Sequence, residues 1–385
     1  MRLLPVCLVF FFSCGQAPQK VSETTGQVES QDAWALLPFT KVDSINPVLK
    51  PGTNVFNDPI WKKSVAWEAK DVFNPAMIVK NDTVFMLYRA QDSIGKPDGT
   101  SRVGMAVSTD GLHFTRKPAP VLYPDNDRYK NLEWQGGCED PRITQREDGV
   151  YIMTYTSFDG KVARLMVASS PDLYNWTKHG SAFAKAFNGK YYNKWSKSGA
   201  VVSVYDTTKA TITAVKINGK YWMYWGDQFI WAATSDDCIN WQPVEMADGE
   251  KASVTLRGIA DSMPALRIVI PTRPKKFDSD LVEPGPAAML TNDGILLIYN
   301  SRNIPAIGDS SLEEGTYAAG QALMSRTDPT KLINRLDNYF MKPDKPYEIT
   351  GQVNKVCFIE GLVHYKSKWF LYYGTADSRI AVATK

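Results

Sequence analysis

The segment Gly136-Gly137-Cys138-Glu139-Asp140-Pro141-Arg142 sets two carboxyls and a guanidinium among residues that shape the backbone. Glycine lets main chain approach closely, and Pro141 stiffens the entry to a strand. Arg142 could pair with Glu139 or Asp140, so a plain ion pair and a proton-donating carboxyl both stay open. Similar polar residues recur along the chain. Asn74 and Arg89, Asp227, Glu283 and Asn300, and Glu360 and Asp377 each stand at the end of a short strand-like run. Carboxyls, amides and one guanidinium gathered at a single mouth suit sugar hydroxyls. Two acids on either side of a glycosidic bond would supply the proton donor and the base that its cleavage needs. Asp140, Asp227 and Glu283 are among the acids such a mouth would present. For Asp227 or Glu283 taken singly, a hydrogen-bonding acid at a strand end is the competing explanation.

The elements that must position them repeat five times. Aromatic-rich cores begin at Val84, Val150, Tyr221, Ile295 and Trp369, 66 to 74 residues apart. A strand-built repeat of this length points to propeller blades rather than a helical solenoid. The expected fold is all-β, a single five-bladed β-propeller over residues 33–385. In a blade the innermost strand crosses the disc and the next returns, so the polar strand ends collect on one face. Asx-Gly pairs such as Asp148-Gly149, Asn218-Gly219 and Asp293-Gly294 mark hairpin turns. Ser108 with Asp110, Ser170 with Asp172, Ser235 with Asp237 and Ser325 with Asp328 close a later strand of four blades, and these acids are assigned to turn structure. The stretch from about Ala33 to Gly52 is expected to lend a strand to the disc. The insertions Met246 to Pro274 and Asp309 to Tyr317 are expected to be loops shaping one face.

Composition narrows the function. Lys and Arg number 44 against 41 Asp and Glu, so no basic field exists for nucleic acid. The 11 Trp, 18 Tyr and 16 Phe serve mainly as sheet core, and a few at a channel mouth would stack on sugar rings. His113, His179 and His364 share no metal-like spacing, so neither a metal nor a cofactor is expected.

Residues 1–13 resemble an export signal: Arg2, then an apolar run from Leu3 to Phe12 too short to span a bilayer. The run ends at Phe12-Ser13-Cys14-Gly15, like a bacterial lipoprotein box, with a plain secretory signal as the competing reading. The expectation is acylation at Cys14, a polar tether over residues 14–32, and membrane attachment in a bacterial cell envelope, periplasmic or outer-membrane. Cys138, Cys238 and Cys357 would remain, an odd number that implies no disulfide framework.

From Phe73 to Lys385 the chain resembles glycoside hydrolase family 130, the mannoside phosphorylases and mannosidases built on a five-bladed propeller. The resemblance rests on Phe73-Asn74-Pro75-Ala76, Leu87-Tyr88-Arg89-Ala90, Ser101-Arg102-Val103-Gly104-Met105-Ala106, Glu139-Asp140-Pro141-Arg142 and Tyr372-Tyr373-Gly374-Thr375-Ala376-Asp377-Ser378. It implies that Asp140 is the general acid, acting directly or through a sugar hydroxyl. It also implies that Asn74, Arg89, Arg102 and Asp377 hold a mannosyl unit. Arg142 and Lys197 join them as candidate substrate-binding residues.

The nucleophile then decides the reaction. Phosphate needs a cluster of cations, for which Arg164, Lys197 and Arg302 are the candidates. Where phosphorylase members carry Tyr-His-Gly, this chain has Tyr299-Asn300-Ser301. Asp227 and Glu283 would repel phosphate and deprotonate water, as in inverting hydrolases, whose acid and base stand roughly 6.5–9.5 Å apart. Export favours water too, since a sugar phosphate made outside the cell is lost to it. The expectation is an exported inverting β-mannosidase acting on β-1,2-linked mannosides or glycans. The alternatives are a β-mannoside phosphorylase and a non-catalytic sugar-binding propeller; an arabinosidase-like enzyme shares only the architecture.

Overall fold

The computed structural model describes residues 32–255 and 257–385. The expected signal segment, the acylated Cys14 and all but the last residue of the tether lie outside them. From Trp34 onward the described residues are nearly all-β, and the two α-helices among them, Lys130–Glu133 and Pro346–Ile349, have four residues each.

The aromatic cores foreseen in the sequence lie in the strands Thr83–Gln91, Tyr151–Phe158, Lys220–Trp225, Ile295–Arg302 and Lys368–Thr375. Each pairs antiparallel with the strand before it and the strand after it, which makes five meanders in succession. Their first strands are Asp71–Lys80, Gly137–Gln145, Ala200–Asp206, the broken pair Leu281–Pro284 and Ala288–Leu290, and Cys357–Tyr365. The third meander is the least regular: Ala200–Asp206 touches Lys220–Trp225 only through Ala200 and Val201, then forms a hairpin with Thr211–Ala214. Thr40–Lys41 pairs with Arg379–Thr384, so the N-terminal segment does lend a strand, to the fifth meander.

Side chains alternate across each strand, so each meander has two apolar faces to bury. Ile78, Leu87, Ile143 and Met153 share one core between the first and second meanders. Ile152, Val167, Met223 and Trp231 join the second to the third, and Val202, Tyr224, Leu297 and Met324 the third to the fourth. Ile298, Ala319, Leu362 and Leu371 join the fourth to the fifth. A further core holds Val72 and Met86 of the first meander with Val363, Tyr372 and Val382 of the fifth.

The acids assigned to turns do structural work. Ser170 Oγ accepts the N–H groups of Asp172 and Leu173, while Asp172 Oδ1 accepts those of Tyr174 and Asn175. The same pattern recurs at Ser108 with Asp110 and at Ser235 with Asp237. Cys138, Cys238 and Cys357 are all buried free thiols.

Candidate active site

Three of the first strands change register where the sequence places a polar candidate: between Phe73 and Pro75 at Asn74, between Glu139 and Arg142 at Asp140, and between Ile359 and Gly361 at Glu360. A bulge adds a residue to one strand and re-aims its side chain. Asn74 and Asp140 accordingly take left-handed backbone, with φ of 50° and 48°, as do Ser198 at 58° and Asp377 at 49°. Non-glycine residues rarely sit there unless the surroundings hold them, and such residues concentrate at functional sites. Close main-chain approach is also present: at Gly137, φ 113°, a Cβ would lie 2.1 Å from the Ser101 carbonyl oxygen.

Asn74, Arg89, Asp140, Lys197, Glu283 and Asp377 line one cleft of about 110 Å³, with Tyr317, Val356 and Phe358 completing its wall. A larger hollow of about 680 Å³ opens among the turns at Asn81, Thr208 and Ser367, toward the opposite ends of the first strands. Size does not mark the site here; converging charge does.

Asp140 is the hub. Its Oδ1 accepts from Asn74 Nδ2 at 2.8 Å and from Arg89 at 3.0 Å, and Lys197 Nζ stands 3.4 Å from Oδ2. Arg89 also bonds Glu139 at 2.8 Å and Ser101 Oγ at 3.0 Å. Burial would raise the Asp140 carboxyl, but Arg89, Lys197, the Asn74 hydrogen bond and Arg142 outweigh it and hold it well below the usual range. Glu139 moves the other way, pushed up by burial against the pull of Arg89.

Across Lys197 the acids behave differently. Burial pushes Glu283 up to about 7, assisted by Asp227 and opposed by Lys197, Arg142 and the hydrogen bond donated by Ser198. Burial also raises Asp227, opposed by Lys197 and by the Trp195 indole, which donates to Oδ2 at 2.7 Å. Asp227 Oδ1 is buried without a hydrogen-bond partner. Asp377 is likewise pushed up to about 7 by burial, against the pull of Arg89. Lys197 loses by burial but gains more from Asp140, Glu283, Glu139 and Asp227, and is held firmly protonated.

Three candidates do not line the cleft, and the first, Asp227, stands near Lys197. Arg102 is fully buried and bonds Asp58 and Asp92 at 2.7 Å each, so it does not line the cleft. Arg142 is 2 % exposed and donates to the carbonyls of Asp140, Pro284 and Gly285 instead of facing a ligand. Its ion pair is with Glu360 at 2.9 Å, and Arg89 makes the pairs with Glu139 and Asp140 that the sequence left open for Arg142. Asn300 also turns inward, exchanging two hydrogen bonds with the main chain of Ile359. Among the described residues, no group of His, Cys, Asp and Glu is arranged to hold a metal ion.

A family model described as beta-1,4-mannooligosaccharide phosphorylase matches residues 40–385. The chain belongs to glycoside hydrolase family 130. Among curated family members it is 30% identical to the 1,2-beta-oligomannan phosphorylase of Thermoanaerobacter sp. (strain X514), over 88% of this chain and 95% of that one. It is 45% identical to a glycosyl hydrolase from Bacteroides ovatus of solved structure, with a TM-score of 0.84 over 91% of this chain and 94% of that one. Another solved structure, 44% identical with a TM-score of 0.84 over the same shares, carries the description "The GH130 family of mannoside phosphorylases contains glycoside hydrolases that target beta-1,2 mannosidic linkages in Candida mannan". The curated name speaks for phosphate as nucleophile, and the descriptions of the two structures include hydrolases.

Membership places the chain in an enzyme family directed at mannosides. Residues that sequence reasoning missed include Tyr317, Ser198 and Trp195. Tyr317 closes the insertion that begins at Asp309, which was read as a loop shaping one face, so its position was the available signal. Ser198 and Trp195 flank Lys197 and carried no separate one.

Proposed function

We propose that the protein is an inverting β-mannosidase that uses water, on a five-bladed propeller whose blades are the five meanders. One observation carries the choice of nucleophile: Asp227 and Glu283 stand close to Lys197, so the cleft cation that a phosphate would need already faces two acids. The other candidate cations already have partners. Arg164 is paired with Asp159 at 2.8 Å and reaches Asn193, while Arg302 is held by Asp280 and Tyr317. The propeller reading is supported by the five shared cores, one of which unites the first meander with the fifth.

In this reading Asn74, Arg89 and Asp377 hold the mannosyl unit, Asp140 delivers the proton to the leaving oxygen, and Glu283 with Asp227 activates water. Asp140 is ionised in the empty cleft. To serve as the acid it must first take up a proton, and sugar hydroxyls that replace its contacts with Arg89 or Lys197 raise its proton affinity so that it can. The β-1,2 linkage follows the two relatives whose descriptions name it.

The second reading is a β-mannoside phosphorylase, favoured by the curated relatives' names. Incubation with a panel of mannobioses, with and without phosphate, separates the two. Free mannose of α configuration at a rate indifferent to phosphate is the expected result. Mannose 1-phosphate accumulating on phosphate addition would overturn the hydrolase.

Export with acylation at Cys14 is proposed from the sequence alone. Cys14→Ser is expected to move the protein from the membrane to the soluble fraction, and unchanged fractionation would refute the anchor.

A further inference from the structure

We propose that Arg142, backed by Glu360, is a positioning residue that fixes the separation of the Asp140 and Glu283 segments across the cleft. The inference rests on the reading that these two carboxyls act on opposite sides of the scissile bond. Arg142 lies under the cleft, not in it. One N–H donates to the carbonyl of Asp140 at 3.2 Å, and two others to the carbonyls of Pro284 at 2.7 Å and Gly285 at 2.9 Å. The guanidinium thus clips the residue bearing one carboxyl to the two residues that follow the other, across 143 positions of sequence. A guanidinium presents its donors from three nitrogens in a rigid planar fork, whereas an ammonium's three all radiate from one atom on a flexible stem and would not reproduce that spacing.

Glu360 completes the clip. Its side chain is fully buried, and Oε1 lies 2.9 Å from an Arg142 nitrogen that aims its hydrogen at Pro284. Neither Glu360 oxygen makes a hydrogen bond, and its closest cation is Arg142. Its place is fixed in turn: Glu360 sits on the irregularity after Ile359, the Asn300 amide locks the main chain of Ile359, and Asn300 is the cross-strand partner of Glu283. Contacts run in a closed circuit from Asp140 through Arg142 to the Glu283 segment, and back through Asn300 and Glu360 to Arg142.

The test compares Arg142→Lys, Glu360→Asp and Glu360→Gln with the wild type for kcat, KM and melting temperature on a mannobiose, scoring both mannose and mannose 1-phosphate. Arg142→Lys loses the fork, and a misplacement of about 1 Å costs about 100-fold in rate. Its kcat is expected to fall by about that factor with KM near the wild-type value. Glu360→Asp withdraws the acceptor by one methylene and should lower kcat about tenfold, again without a matching change in KM. Glu360→Gln keeps an acceptor oxygen at the same reach and should stay near the wild type. Wild-type kcat in both Arg142→Lys and Glu360→Asp overturns the proposal. So does a loss of kcat and KM together in step with melting temperature, which marks a merely structural role. Should Arg142→Lys fail to fold, Glu360→Asp decides. If mannose 1-phosphate is the product, the hydrolase reading falls while the kcat comparison still tests the clip. A wild type inert on every mannoside overturns both.

Discussion

Asp172 and Glu283 carry the same functional group, and their surroundings treat it in opposite ways. Asp172 sits at the turn after the strand Ala163–Ser170, where the backbone and side chain of Asn175 and the backbone of Tyr174 donate to it. Those donors, with Ser170, hold its carboxyl well below the usual range. Glu283 is 5 % exposed, receives one hydrogen bond from Ser198, and is pushed up to about 7 by burial. The turn binds a permanent anion for structure. The cleft keeps its acid near neutrality, where a proton is taken or released at little cost. Asp140 stands between the two cases: it is as buried as Glu283, yet two cations and an amide keep it ionised. Burial by itself does not set the charge state; the nearest cations decide.

The sharpest way to break this contrast is Asp140→Asn. The amide keeps the size and the hydrogen-bonding reach but supplies no proton, so kcat should fall by about 10²–10⁴ while melting temperature changes little. Assay on a natural mannoside beside a thermal melt checks it. Retained activity removes Asp140 from the acid role, and parallel loss of stability makes it an ion-pair residue only.

A second, somewhat smaller effect concerns Glu283. A base must be ionised to act, and Glu283 in the free enzyme is pushed up to about 7, so kcat/KM should climb as pH rises through neutrality and then level off. Glu283→Gln should flatten that limb and lower its plateau. A wild-type profile that is flat from pH 6 to pH 8 (about a unit on either side of Glu283) would argue that the base is Asp227 or that water is not the nucleophile.

The smallest effect belongs to the turn. Asp172→Ala deletes several hydrogen bonds that solvent largely replaces, which costs about 1 kcal/mol. In a chain of this size that lowers the melting temperature by about 2 °C or less. Activity should be unchanged. A large fall in kcat would abolish the division between turn acids and cleft acids.

Much of the architecture and half of the site were readable because they depend on local pattern. Alternating apolar residues, Asx-Gly turns and the Ser-x-Asp boxes are short-range features, and each came out in the structure as a strand, a hairpin or a capped turn. Asn74, Arg89, Asp140, Glu283 and Asp377 could be put at one mouth because strand ends follow from strand order. Arg102 and Arg142 could not be placed in that way. Their partners are Asp58, 44 residues away, and the carbonyls of Pro284 and Gly285, 142 and 143 residues away. The family resemblance implied Arg102 as a sugar ligand, with Arg142 as a further candidate; burial made both into structural cations, since an arginine out of water must find anions or carbonyls.

The sequence by itself determined that this is an all-β chain of five repeats with acids and amides at shared strand ends, and which family it belongs to. Only the tertiary structure decided which of those acids hold a proton. A carboxyl's affinity for a proton depends on the water it loses and on the charges within a few ångströms. For Asp140 those charges are Arg89 and Lys197, and for Glu283 they are Lys197, Asp227 and Arg142. Strands far apart in the chain deliver them, and three of the cleft's residues, Asn74, Asp140 and Asp377, take left-handed backbone that no local pattern announces.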